Sequence, residues 1–415
     1  MAAALTLPIA LAHLRHRKRQ TFVSVAGVAL GVGFFIAMAA LMSGFQLYFI
    51  SKVIDTWPHV IIKDEYRNPA LQPVLQAFPD GAVRLDSLKP RDEIKGIRNA
   101  REIMAALADS PYAVAPTLRT QAFFRYGSRE IAATMVGIEP RLEVKVTQLA
   151  QDIISGRLEA LNTSANGIIL GEGLAKKLGV SLGNMLSVTS PMGAILKMQV
   201  VGIFSTGVTA IDNFESYALL KKAQVLAGRT NVINQIRIHL PDVSVARETA
   251  RMFENRFGYK AESWEESYSN VLGLFKIQNG IMYSSVGAIL IVAAFGIFNI
   301  ISTVVNEKRR DIAILKSIGL TEGDITRIFL VQGLILGVIG TLLGWLVGFG
   351  LTEALGTIRF DMEGFIRSQG FILNRGWEPY ALAAGFALIA STVAAWLPAR
   401  KAARIDPVDI IRGAA

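Results

Sequence analysis

Four long stretches of this chain carry no Asp, Glu, Lys or Arg: Gln20 to Ser51, Ile277 to Asn306, Ile328 to Thr352 and Pro379 to Ala399. A bilayer core about 30 Å thick is crossed by roughly 20 apolar residues in a helix, so each stretch is long enough to span. The sequence therefore predicts four transmembrane helices. In keeping with this, 52% of its 415 residues are hydrophobic and 18% charged, and the mean hydropathy is +0.40. A signal-peptide core is only about 7 to 15 residues long. The first run is roughly twice that and has no clear small-residue cleavage site, so it is expected to stay in the mature protein.

The net charge of +10 does not point to nucleic acid, because the cations gather beside the apolar runs. Arg15, Arg17, Lys18 and Arg19 precede the first run, Lys308 to Arg310 follow the second, and Arg400, Lys401 and Arg404 follow the fourth. By the positive-inside rule this puts both termini in the cytoplasm, with residues 1–19 as an interfacial helix and 400–415 as a basic tail. Residues 52–276 then lie outside, as does the short 353–378 loop. The chain has no cysteine, which excludes disulfides, thiol catalysis and Cys-ligated metal. An external domain of this size can hold together by its own core.

Within 52–276 the pattern is mixed α+β. Val60 to Lys63, Gly167 to Gly171, Asn184 to Thr189 and Leu196 to Phe204 read as strands, and Tyr112 to Gly137 as two paired strands broken at Tyr126 to Ser128. Ala100 to Ala108 and Glu172 to Leu178 read as helices, the second stopped by Gly179. Ile236, Ile238 and Leu240 alternate with Arg237 and His239 as a half-buried strand. A helix follows Pro241 and Asp242, with Val243, Ala246, Ala250, Phe253 and Phe257 on one face. Two subdomains are expected. Asp64 to Arg98 is rich in proline and charge and shows no sustained period.

Between the second and third runs lies a short charged segment, Asn306 to Asp324. Ile312, Leu315 and Ile318 fall three apart as a narrow apolar stripe, and Arg310, Asp311 and Lys316 are charged neighbours. Gly319 is placed to end this helix, and Thr321 with Asp324 to cap the next. A two-turn helix held in water by two membrane helices suits a lever that another protein grips; the plainer reading is an ordinary solvated loop helix. Gly27 and Gly31 in the first run, and Gly333, Gly337, Gly340, Gly344 and Gly348 in the third, are spaced for close helix packing, within the chain or against a partner.

Several chemistries are missing. No phosphate-binding G-x-x-x-x-G-K-[ST] loop occurs, so ATP is not expected to bind in that manner. The histidines His13, His16, His59 and His239 are scattered, no Ser/His/Asp grouping is evident, and the chain is expected not to be an enzyme. The apolar runs hold no ionisable group, which argues against ion-coupled transport through the bilayer centre. Their polar exceptions, Asn299 and Gln332, are expected to make interhelical hydrogen bonds.

One membrane helix, a large external domain and three further helices, with NEKRRDIAILKSIGLTEGDI after the second helix and LPARKAARIDPVDIIRG after the fourth, resemble the MacB/FtsX-type permeases of ABC transporters. Trp264 with Leu274-Phe275, the AAFGIFNIIS run from Ala293 and GEGLAKKLGVSLGN from Gly171 look most like the LolC/LolE lipoprotein-releasing branch; the Asp64 to Arg98 insertion departs from it. The resemblance implies two permeases, identical or paired with a homologue, and two separate ATPase subunits that hold the ATP and Mg. It makes Asp311 to Gly319 the coupling helix, with Ile312, Leu315 and Ile318 in a groove of the ATPase. It also implies mechanotransmission in the inner membrane, with a periplasmic carrier or adaptor taking the cargo. Acyl chains would enter a cavity lined by Phe45, Tyr48, Phe49, Ile281, Met282 and Tyr283, unless these residues simply face lipid. Export of a hydrophobic small molecule or glycolipid, and an FtsX-like signalling module controlling a periplasmic hydrolase, are the alternatives.

Overall fold

The computed structural model describes residues 8–12, 18–65, 77–78, 96–359, 361–363 and 367–406. His13, His16, most of the 64–98 insertion and the tail beyond residue 406 lie outside them. The chain begins with α1 (Lys18–Thr56), β1 (Val60–Lys63), α2 (Ala100–Ala108), β2 (Ala113–Tyr126), β3 (Arg129–Ile138), α3 (Pro140–Val146) and β4 (Ile153–Gly156). Next come α4 (Ala160–Thr163), β5 (Gly167–Gly171), α5 (Glu172–Leu178), β6 (Met185–Thr189), β7 (Ile195–Phe204), α6 (Thr209–Phe214) and β8 (Glu215–Leu219). Then follow α7 (Leu220–Leu226), β9 (Gln235–His239), α8 (Ala246–Phe257), β10 (Lys260–Ser263) and α9 (Trp264–Ser267). The last elements are α10 (Ser269–Glu307), α11 (Arg309–Ser317), α12 (Glu322–Thr357), β11 (Asp361–Glu363), β12 (Arg367–Gln369) and α13 (Glu378–Ala403). They form two compact units, one of Met1–Tyr48, Gly273–Phe360 and Gln369–Ala415, the other of Phe49–Leu272 with Asp361–Ser368.

In the second unit the sheet order β10-β1-β9-β2, antiparallel throughout, belongs to β1-α2-β2 and β9-α8-β10. This is the split β-α-β-β-α-β arrangement of ferredoxin-like folds. Val60, Ile62, Ile236, Ile238 and Ala261 bury one sheet face beneath Ile103 and Leu107 of α2 and Ala250 and Phe253 of α8. Everything from β3 to β8 is inserted between its second and third strands. There β2 continues past β9 and closes a six-stranded ring, β2-β3-β8-β5-β7-β6 and back to β2. Leu118, Phe124, Met135, Ile168, Leu186, Val188 and Met198 are buried in its core, joined by Leu174 and Leu178 of α5. The two expected subdomains are thus one split sheet and one small barrel sharing β2.

The half-buried reading of β9 is corrected at Arg237. Its side chain is 2% exposed, with Nη1 2.7 Å from Oε1 of the fully buried Glu143. Helix α3 covers this face of the sheet, so the polar half of the alternation meets a carboxylate instead of water. Nε and Nη2 of Arg237 and Oε2 of Glu143 have no partner among the described residues. Close by, Tyr217 donates to Glu215 (3.2 Å), which also pairs with Arg119 at 2.7 Å. Burial and the Glu215 charge hold the Tyr217 hydroxyl well above its ordinary range.

At the end of β9, His239 faces His59 with ring centroids 4.1 Å apart. The ring nitrogens of His59 lie within hydrogen-bond distance of backbone atoms of Leu240 (3.1 Å) and Ile54 (3.3 Å). Burial, then the neighbouring ring, lowers the pKa of His59, and burial lowers that of His239.

Two expectations follow. Arg237→Met alone leaves Glu143 as an unpaired buried charge and should destabilise this unit by about 3–5 kcal/mol. Combining it with Glu143→Leu should recover most of that loss, as read by thermal unfolding of the purified protein. Because both histidine pKa values are depressed on folding, the unfolded chain binds more protons once the pH drops below the ordinary value of 6.5. Stability should therefore hold above that pH and fall as the pH drops toward the lowered native values. His59→Gln with His239→Gln should flatten that dependence.

Candidate ATPase-coupling site

Helices α1, α10, α12 and α13 are each long and apolar enough to cross a membrane. In lipid, apolar surface alone does not drive helices together, so small residues that admit close backbone approach carry much of the association. The third helix supplies them on two faces. A Cβ added at Gly340 would come within 2.6 Å of Val28, at Gly344 within 2.5 Å of Val32 and at Gly348 within 2.8 Å of Ile36, a four-residue ladder along α1. One turn closer to its N-terminus the partner changes: a Cβ at Gly333 would collide with Ala395, and one at Gly337 with Ser391, both on α13. The glycine ridge is filled within the chain. Gly31 approaches Ile289 and Leu290 of α10, whereas Gly27 has nothing within 4 Å. Gln46 and Asn279 exchange amide hydrogen bonds of 3.0 and 3.4 Å between α1 and α10.

The polar exceptions differ from expectation. Asn299 lies on the exposed side of α10, and its recorded contact is its backbone carbonyl accepting from Thr303 within the same helix. Gln332 is fully buried with neither amide atom partnered among the described residues. Neither makes an interhelical hydrogen bond among the described residues. An unpaired buried amide is costly, so Gln332 weakens the packing around it.

The charged segment between α10 and α12 folds as α11, and its ends follow the expected chemistry. Gly319 adopts φ +109° after the last turn, and Thr321 and Asp324 form a reciprocal capping box at the start of α12. The apolar stripe, however, divides. Each residue turns an α-helix by about 100°, so steps of three slip about 60° backward each time. Ile312 is therefore 2% exposed and packed into the helical core, Leu315 is half-buried against it, and Ile318 is 74% exposed. The apolar face left open is Ile318 with Ile314, four residues apart and 48% exposed. Arg309, Arg310 and Asp311 are exposed around the start of the helix. Asp311 pairs with Lys308 at 2.7 Å in the open, a contact worth little.

Lys316 does not belong to that open face. Its Nζ donates to the carbonyls of Ala403 (2.8 Å) and Ile405 (2.9 Å) at the end of α13 and lies 3.8 Å from Glu322. This places a cation on the unsatisfied C-terminal carbonyls of the fourth helix.

The six residues expected around an acyl cavity differ in exposure. Phe49 is buried, stacked edge-on with Tyr268 at 5.8 Å, and Met282 lies in the helical core. Phe45 packs edge-on against Phe275 at 5.9 Å, and Tyr48 is half-buried. Ile281 and Tyr283 are exposed on α10, at 62% and 46%.

Two family models match the chain: the MacB-like periplasmic core domain over residues 21–255 and the FtsX-like permease C-terminal region over 283–407. The lipoprotein-releasing system transmembrane protein LolC of Xylella fastidiosa (strain 9a5c) is 29% identical, covering 98% of both chains. LolE of Haemophilus influenzae is 24% identical over 94% of this chain and 93% of its own. The uncharacterized ABC transporter permease YknZ of Bacillus subtilis is 25% identical over 97% and 98%.

The ridge geometry predicts that Gly344→Val lowers the thermal unfolding temperature of the detergent-purified protein, while Gly27→Ala leaves it unchanged; equal effects would mean that the Val32 contact contributes nothing. With the MacB-like model covering more than half of its length and the FtsX-like model most of the remainder, the chain belongs to the MacB/FtsX-type permeases of ABC transporters.

Proposed function

We propose that this chain is a permease subunit that extracts lipoproteins from the outer leaflet of the inner membrane by mechanotransmission and passes them to a periplasmic carrier. The observation that carries the reading is the near full-length similarity to LolC. The charge-free spans agree with it, since a cargo taken sideways from the leaflet needs no ion path through the bilayer centre. Desorbing an acyl chain costs about 0.8 kcal/mol for every CH₂ removed from lipid, so release must be driven. ATP and Mg belong to separate ATPase subunits in this reading, and this chain has no catalytic role.

In this reading, which the positive-inside pattern supports, α11 and both termini lie in the cytoplasm and the split sheet with its barrel in the periplasm. Ile314 and Ile318, ringed by Arg309 and Arg310, would seat in an apolar groove of the ATPase while the charges fix its orientation. Closure of the ATPases would tilt the membrane helices and move the periplasmic domains. A second permease, a copy or a homologue, completes the assembly, and the exposed Ile281 and Tyr283 on α10 are offered as part of the lipid-contacting wall between the two.

Purification of the tagged protein from its native membrane, with identification of what accompanies it, tests the assignment. An ATPase together with acylated lipoprotein is expected. An ATPase with a periplasmic hydrolase and no lipid-modified cargo would favour signalling, and a bound glycolipid would favour export. Ile318→Asp should abolish co-purification of the ATPase, because it puts a charge into an apolar groove; an ATPase that stays bound and active would contradict the docking assignment.

A further inference from the structure

We infer that Lys316 latches the coupling helix to the cytoplasmic end of the fourth membrane helix, so that the two receive the ATPase's push as one body. The inference rests on the docking of α11 proposed above. Helix α11 is joined directly by the chain to α10 and α12, but α13 is not its neighbour in sequence. The bridge is polar: one ammonium group, on a side chain 14% exposed, donates to two main-chain carbonyls, those of Ala403 and Ile405. Three features make this a latch. Its acceptors are the last carbonyl of α13, which the helix cannot satisfy itself, and that of Ile405 just beyond. Its charge complements the negative end of the α13 dipole. Its low exposure protects the bonds from competing water.

Lys316 is therefore a positioning residue whose ammonium is engaged inside the chain and does not read the partner. The body it creates presents the apolar pair Ile314 and Ile318 together with the exposed cations Arg309, Arg310, Lys401 and Arg404. A matching partner face has an apolar groove rimmed with carboxylates, and it meets two elements of the permease instead of one. Motion of α11 then reaches α13 directly, and through the Gly333 and Gly337 contacts it is shared with α12.

The chain contains no cysteine, so, with any cysteines of the ATPase and second permease replaced, a spin-label pair at Ser317→Cys and Leu397→Cys reports the separation of α11 and α13 from outside the named docking residues. In the full complex with its ATPase, the separation should stay the same in nucleotide-free and ATP-bound states. With Lys316→Met added, it should broaden and differ between the two states. In the Lys316→Met complex without labels, ATPase binding and hydrolysis should persist while cargo released per ATP falls about tenfold, the scale set by losing charge-assisted hydrogen bonds. Lys316→Arg, which keeps the charge and the donors, should restore much of the coupling. An unchanged separation and unchanged coupling in Lys316→Met would overturn the latch. The docking assignment fails separately, by retention of the ATPase in Ile318→Asp, and the spin-label distance does not depend on that result.

Discussion

The helical unit depends on how closely the third membrane helix approaches its neighbours. Apolar surface alone does not drive helices together in lipid, so much of the association comes from the close packing that small residues allow. Val28, Val32 and Ile36 of α1 occupy the space a side chain would need at Gly340, Gly344 and Gly348, and Ala395 and Ser391 of α13 do the same at Gly333 and Gly337. The third helix is thereby a common spine. It carries α1 along one half and α13 along the other, and these contacts leave α10 with one side exposed.

In the proposed reading, that arrangement explains what the end bearing α11 must accomplish. Helix α11 is tied by the chain to α10 and to the spine, and by Lys316 to α13, so three of the four membrane helices meet at one short element. A rigid connection there transmits displacement, whereas a loose one would dissipate it. The capping box of Thr321 and Asp324 and the left-handed Gly319 fix the angle at which the spine leaves the lever.

How much of this was legible in the sequence follows from what each signal depends on. The four apolar runs were plain because lipid imposes length and excludes charge, and Gly319, Thr321 and Asp324 because turn chemistry is local. Seven strands of the mixed domain were readable one by one, but not β4, β8 and β10, nor that β2 serves both the split sheet and the barrel, since closure is a pairing across distant residues. Arg237 looked half-exposed because alternation reports which face a residue takes and not what covers it; α3 brings Glu143 there. The stripe of Ile312, Leu315 and Ile318 failed on phase, as a spacing of three drifts around the helix and leaves Ile314 beside Ile318. Lys316 gave no signal as a latch, because its acceptors are backbone carbonyls 87 and 89 residues away, and any residue would provide those.

The most direct measurement is release from a defined membrane: this permease with its ATPase and second permease in proteoliposomes containing a fluorescent acylated lipoprotein, with the soluble carrier on the periplasmic side. The account predicts ATP-dependent transfer to the carrier on that side, with no cargo or small solute crossing the bilayer. ATP turnover without transfer, or cargo delivered across the membrane to the opposite side, would contradict extraction by mechanotransmission.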